Sequence, residues 1–128
     1  MFAYMLIPGN RGAECRIENP RDIFHASVYV NHQQQLEGFM ISVKHPALNM
    51  LGPCVARTEA QAIALIRQEL ERFSGNQVLF LIPMDKRKMV EQMYAWKAVN
   101  VETHLNEVWG KFTEFNGVNM PGFLPETG

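Results

Sequence analysis

Between Met50 and Ile82 the chain lays out a strand, a helix whose start is written in its residues, and a second strand. That succession leaves few folds open. Thr58-Glu59-Ala60-Gln61 is a capping box: the Thr58 hydroxyl serves the first helical amides while the Gln61 side chain reaches back to the cap. The helix is predicted to run to about Phe73, burying Ala62, Ile63, Ile66, Leu70 and Phe73, and to stop at Ser74-Gly75 with glycine in the left-handed position. Val78-Leu79-Phe80-Leu81-Ile82 is an unbroken apolar run, which suits a strand covered on both faces at the centre of a sheet. A strand, helix and strand in this order cross over right-handed into a parallel pair. The first of these strands, Met50 to Ala56, contains Gly52-Pro53, which removes a ladder hydrogen bond and predicts a break in regular pairing.

The rest of the chain adds strands around this unit. From Ile23 to Val30 residues alternate between two faces, with Phe24, Ala26, Val28 and Val30 on one. The polar stretch Asn31 to Gln35 separates it from a second β-rich run, Leu36 to Val43, at hairpin distance, and His45-Pro46 closes that run. After Pro83 a second helix is predicted over roughly Asp85 to Ala98, with Met89, Val90, Met93 and Trp96 on one stripe. Val101, Thr103, Leu105 and Trp109 are expected to line one face of a long final strand. Residues from Asn116 onward, rich in Gly and Pro, read as an irregular tail. Phe2 to Ile7 reads as a short strand ended by the turn-favouring Pro8-Gly9-Asn10, and residues 1–22 are otherwise poorly assigned. The expected fold class is therefore α/β: a mixed, mostly antiparallel sheet with a β-α-β-α-β unit, in one domain over residues 1–128.

Composition narrows the function classes. The 128 residues are 47% hydrophobic and 20% charged, the profile of a globular chain. Twelve Lys and Arg against 13 Asp and Glu give a net charge of −1, with no overall field toward nucleic acid or an anionic membrane. No apolar run approaches the roughly 20 residues of a bilayer span, and the first residues lack the pattern of a secretory signal, so a cytoplasmic protein is expected. Cys15 and Cys54 are too few for a disulfide framework or a four-ligand zinc site and read as packing residues. His25, His32, His45 and His104 show no metal-ligand spacing, and no metal is expected.

The runs Leu36-Glu37-Gly38-Phe39-Met40, Leu51-Gly52-Pro53-Cys54-Val55-Ala56 and Thr58-Glu59-Ala60-Gln61-Ala62, in that order, resemble the GNAT-like acetyltransferase superfamily. They look most like the carboxy-terminal half-domain of bacterial tandem acetyltransferases. The similarity extends through Val78 to Pro83 to the closing Phe123, Glu126 and Gly128. The resemblance implies a sheet whose fourth and fifth strands splay apart, with acetyl-CoA in the gap and its pyrophosphate at the start of the following helix. Gly52-Pro53 and the Val78–Ile82 run suit those two strands. The departures bear on activity. Where active members carry a glycine-containing phosphate loop, this chain has Ala56-Arg57-Thr58-Glu59-Ala60-Gln61-Ala62, without a glycine to let backbone donors approach a phosphate. Glu59 in the first helical turn would repel one. Active members place a Tyr on the second helix to protonate the leaving thiolate. Tyr94 matches that place, although the Asn, Gly and Phe around it do not, and a frame shifted by one residue puts Met93 there. Glu37 lies on a strand where such enzymes often hold a base for the acceptor amine.

The residues themselves offer one further constellation. Arg57 and Lys86-Arg87-Lys88 follow the two parallel strands and so belong on one sheet edge, beside two helix amino termini. Cations there oppose the helix dipole, which invites an anion, and ligands of open α/β sheets bind at that edge. The competing reading is a solvated surface. Met84, Met89, Met93, Trp96 and Trp109 read either as an adaptable ligand wall or as core. Leu124-Pro125-Glu126-Thr127-Gly128 spells a sortase signal without the apolar segment and basic tail that accompany one, and reads as coincidence or an engineered tag.

The expected function is a GNAT-like domain with a degenerate acetyl-CoA cleft that binds a small ligand or a partner, as a homodimer. The alternative is an active acyl-CoA-dependent N-acetyltransferase acting on a small amine. It would use Arg57, Thr58, Lys86, Arg87 and Lys88 for the cofactor and Tyr94 with Glu37 for catalysis. A third reading is a half-domain that needs a GNAT-like partner to complete its sheet.

Overall fold

The computed structural model of the chain describes residues 23–122 and the backbone of residues 2–7. The elements, in order, are β1 (Phe2–Ile7), β2 (Phe24–Val30), β3 (Leu36–His45), β4 (Leu48–Ala56), α1 (Glu59–Glu71), β5 (Val78–Pro83), α2 (Arg87–Ala95), β6 (Val99–His104) and β7 (Val118–Met120). The strands form one sheet in the order β2-β3-β4-β5-β1-β6, with β7 attached to β4 off that path. This is the expected mixed α/β architecture. The Pro8-Gly9-Asn10 turn, Cys15 and the Leu124–Gly128 motif lie outside the described residues.

The hairpin of β2 and β3 forms as the alternation predicts, closed by a turn in which the Asn31 carboxamide oxygen accepts from the Gln33 and Gln35 amides. Beyond His45 the chain turns back at once, and β4 pairs with β3 antiparallel along most of its length. The interruption expected at Gly52-Pro53 is there: Met40 faces Cys54 and Ser42 faces Leu51, so two residues of β4 oppose one of β3. On its other edge β4 runs parallel to β5, but the two register at a single pair, Met50 with Leu79. Past that point β4 and β5 no longer pair. β5 sits inside the sheet, flanked by β1 in antiparallel register from Ile7 against Val78 to Phe2 against Pro83.

The capping box of α1 is complete, with the Gln61 amide donating to Thr58 Oγ1 at 3.3 Å and the Thr58 amide donating to Gln61 Oε1 at 3.2 Å. The buried face of α1 is Ala62, Leu65, Ile66 and Glu69, continued by Phe73, with Ile63 and Leu70 only partly covered. The face is thus rotated from the one the apolar residues alone suggest, because a carboxylate occupies one of its central places. Met89 and Met93 are the fully buried residues of α2, with Val90 and Trp96 packed at its margin. They join Met40, Leu51, Phe80, Ile82 and Met120 in one core. No helix among the described residues is long and apolar enough to cross a membrane.

Three expectations are corrected. The second helix spans Arg87–Ala95 rather than Asp85 to Ala98. The long final strand does not form. β6 ends at His104, and Val101 and Thr103 are exposed on it while Leu105 and Trp109 lie beyond it, also exposed. Alternating residues announce a strand but not what covers it, and β6 is the sheet's edge. Finally, the tail from Asn116 is not wholly irregular, since β7 lies within it.

Candidate functional site

The edge of the sheet at which β4 and β5 end carries the residues singled out from the sequence. Arg57 and Thr58 leave β4 and open α1, and Lys86, Arg87 and Lys88 open α2. What these helix starts hold is internal. Gln61 Oε1 accepts from both the Arg57 amide, at 3.1 Å, and the Thr58 amide, at 3.2 Å. Its amide nitrogen donates to Glu37 Oε2 at 2.6 Å, and Asn31 Nδ2 donates to Glu37 Oε1 at 3.1 Å. Glu37, Arg57 and Thr58 are therefore brought together, but by Gln61 and Asn31, which engage both oxygens of the Glu37 carboxylate. Two charge-assisted bonds of this kind tie β3 to the hairpin turn and to α1, a structural task for the carboxylate.

Glu59 acts at the neighbouring helix. Its Oε2 accepts from the Met89 amide at 3.1 Å, in the first turn of α2, where Lys86 supplies no side-chain cap of its own. A carboxylate at a helix amino terminus satisfies a backbone donor and complements the dipole. The negative charge that the cations of this edge invite is thus supplied by the chain itself. Of those cations, Lys86 lies 3.4 Å from Asp85 and Arg87 pairs with Glu91 one helical turn on, at 2.7 Å. Arg57 and Lys88 are exposed. Tyr94 stands near the end of α2, half exposed, while its neighbour Met93 is fully buried.

The gap between the diverging strands is filled from the tail. β7 pairs antiparallel with β4, Val118 facing Ala56, Asn119 facing Val55 and Met120 facing Cys54. Because β3 already holds the other edge of those three residues, β7 lies on the edge turned toward β5, and it touches β5 as well. Val118 and Met120 are buried in the core. Two glycines set the fit: a Cβ on Gly117 would stand 2.7 Å from the Ala56 carbonyl oxygen, and one on Gly52 would stand 2.8 Å from that of Pro121. Gly117 and Gly52 have φ of 151° and 120°, where side chains are disfavoured.

A family model described as an acetyltransferase (GNAT) domain matches residues 14–106, close to three quarters of the chain. The chain belongs to the GNAT family. No curated protein and no solved structure matches it significantly. Domains of this family generally bind acetyl-CoA, and the matched residues include α1, α2 and the diverging β4 and β5. β7 and residues 107–117 leading to it lie beyond them. At the place where the resemblance puts the cofactor, the Arg57 and Thr58 amides donate to Gln61, Glu59 accepts from the Met89 amide, and β7 pairs with the edge of β4.

A second cluster lies on the α1 side of β2 and β3, where the sequence reading places no site. The fully buried Glu69 accepts from the Ser27 and Ser42 hydroxyls and from His25 Nδ1, the last at 2.8 Å. Arg72 Nη1 donates to Ser42 Oγ at 2.8 Å. Burial alone would push the Glu69 carboxyl up; the bonds from Ser27, Ser42 and His25, with the His25 charge, outweigh it and hold the carboxyl below its ordinary value. Only the sequence pattern Ser27–Ser42 on inward strand positions opposite a helical Glu could have signalled it. Among the described residues no group of His, Cys, Asp and Glu is arranged to hold a metal ion.

Proposed function

We propose that this GNAT domain is a binding module whose acetyl-CoA cleft is degenerate, with its own carboxy-terminal strand standing where the cofactor would lie. The observation that carries the reading is the pairing of Val118–Met120 with Cys54–Ala56 in the gap between β4 and β5. A strand there uses the backbone groups of β4 that an amide-bearing ligand would need, and it buries two apolar side chains that such a ligand would have to displace. The internal acceptors at both helix starts act in the same direction, since a pyrophosphate would compete with Gln61 and Glu59 for amides already paired.

The exposed Arg57 and Lys88 at this edge favour a second reading, an active N-acetyltransferase in which β7 withdraws and Tyr94 protonates the thiolate. Calorimetric titration with acetyl-CoA at low salt separates the two. The degenerate cleft predicts no binding heat for the intact chain. Micromolar binding that is lost in Arg57→Ala would overturn it, and turnover lowered by Tyr94→Phe in a folded protein would establish the second reading.

A further inference from the structure

A groove of about 640 Å³ lies between α1 and the second half of α2. Ala60, Ile63, Arg67 and Glu71 line it at intervals of three or four residues, which places them on one face of α1, and Gln92 and Trp96 line it from α2. These are not the residues with which α1 meets the core, and the groove reaches the end of α2 rather than its start. It is a different place from the β4–β5 gap.

Packing sets the floor of the groove. Ile63 and Trp96 are half-buried, and both are held against the core cluster, so their uncovered parts form a fixed apolar surface. A surface already ordered loses little freedom when a ligand covers it. The polar groups beside that floor are unspent. Arg67 and Glu71 are exposed and stand one helical turn apart with opposite charges. Among the described residues neither makes an ion pair or a side-chain hydrogen bond, and the Gln92 carboxamide makes none either. Arg87 and Glu91, at the same spacing and in the same order on α2, do pair at 2.7 Å. The groove therefore keeps a separate cation and anion over an aromatic and aliphatic floor.

We propose that this groove binds a free α-amino acid with an apolar side chain. Its carboxylate meets the Arg67 guanidinium, whose fork matches it in two hydrogen bonds, and its ammonium meets the Glu71 carboxylate. Side chains one helical turn apart start about 5–6 Å from each other, which suits ligand charges that share one carbon and not the distant ends of a peptide. The apolar side chain covers Ile63 and Trp96, and the Gln92 carboxamide is left to donate or accept at the rim. The site goes beyond the reading of the cofactor cleft and stands whether or not that cleft admits acetyl-CoA.

The test is a titration of the intact, isotope-labelled chain with L-phenylalanine, L-leucine and L-methionine to millimolar concentration, followed by nuclear magnetic resonance. At least one of them is expected to move the Trp96 indole N–H and the Gln92 side-chain amide saturably, while the Arg57 and Thr58 amides and the Trp109 indole, which lie outside the groove, stay in place. No saturable movement at Trp96 and Gln92 with any of the three overturns the proposal, as does movement confined to Arg57 and Thr58. Phenethylamine and 3-phenylpropionate each lack one charge of phenylalanine and test the two charges on the unaltered chain. Each is expected to bind about tenfold more weakly than the tightest amino acid, the loss of one charge-assisted contact. Arg67→Ala, at an exposed position, is expected to weaken the amino acid by a similar factor with thermal unfolding unchanged. Binding that is indifferent to the missing ligand charges, or that survives undiminished in Arg67→Ala, overturns the assignment of a zwitterion.

Discussion

Replacing Glu69 with alanine removes one acceptor on which three elements depend. The Ser27 hydroxyl on β2 and the Ser42 hydroxyl on β3 both donate to it, and both serines are buried. A buried donor left without an acceptor costs about 1–3 kcal/mol. Ser42 retains its bond from Arg72, but as an acceptor, so its proton still lacks a partner. Two stranded hydroxyls, with the Glu69 carboxylate also removed from its 3.5 Å contact with the partly exposed Arg72 guanidinium, place the loss at about 3–4 kcal/mol. With a urea dependence of about 2 kcal/mol per molar, the unfolding midpoint should fall by about 2 M. Glu69→Gln keeps one oxygen to accept and should lose about half as much. The network also fixes a pH dependence. Because Glu69 titrates below its unfolded value, its contribution is fully present above the ordinary glutamate range of about 4.3 and is lost as pH falls through the folded value. Glu69→Gln should flatten that acid limb. A midpoint shift in Glu69→Ala worth less than about 1 kcal/mol would refute the reasoning, because the serines would then be satisfied without it.

Further outcomes follow from the site. Gln61→Ala should lower stability by about 1 kcal/mol through loss of the capping box, and it frees a Glu37 oxygen; thermal unfolding checks the first. Gly117→Ala should loosen β7, since the added carbon meets a backbone oxygen, and amide exchange at Asn119 should quicken while that of β3 stays unchanged. Burial pushes the Cys54 thiol up to about 12, so in the folded protein it should resist iodoacetamide at neutral pH and react on unfolding.

The strand-helix-strand unit is legible in the sequence because each of its signals is local. Thr58 and Gln61 lie within one helical turn, Gly52-Pro53 breaks pairing wherever it falls, and an apolar run such as Val78–Ile82 has few places to go but the sheet's interior. The family resemblance rests on the same stretch. The site is legible as a set of residue types and not as an arrangement. That Gln61 serves two amides of its own cap and also Glu37, 24 residues earlier, depends on the β3–β4 register. Glu59 reads as an obstacle to phosphate and is in fact the cap of another helix. Glu69 is hidden because a carboxylate on a helix normally marks the solvated face, and only the opposed serines of β2 and β3 reverse that. The tail conceals its strand for a related reason: three residues flanked by Gly117 and Pro121 carry almost no periodic signal, and what orders them is the free edge of β4.

The central claim, that β7 closes the gap and acetyl-CoA does not open it, is tested most directly by nuclear magnetic resonance. Cross-strand Overhauser effects between Val55 and Asn119, and between Cys54 and Met120, report the pairing itself. The account predicts that they are present in the free protein and persist, with the Arg57 and Thr58 amide shifts unmoved, as acetyl-CoA is added to millimolar concentration. Loss of those effects together with saturable movement of the Arg57 and Thr58 amides would contradict it and make the strand a displaceable gate over a working cofactor site.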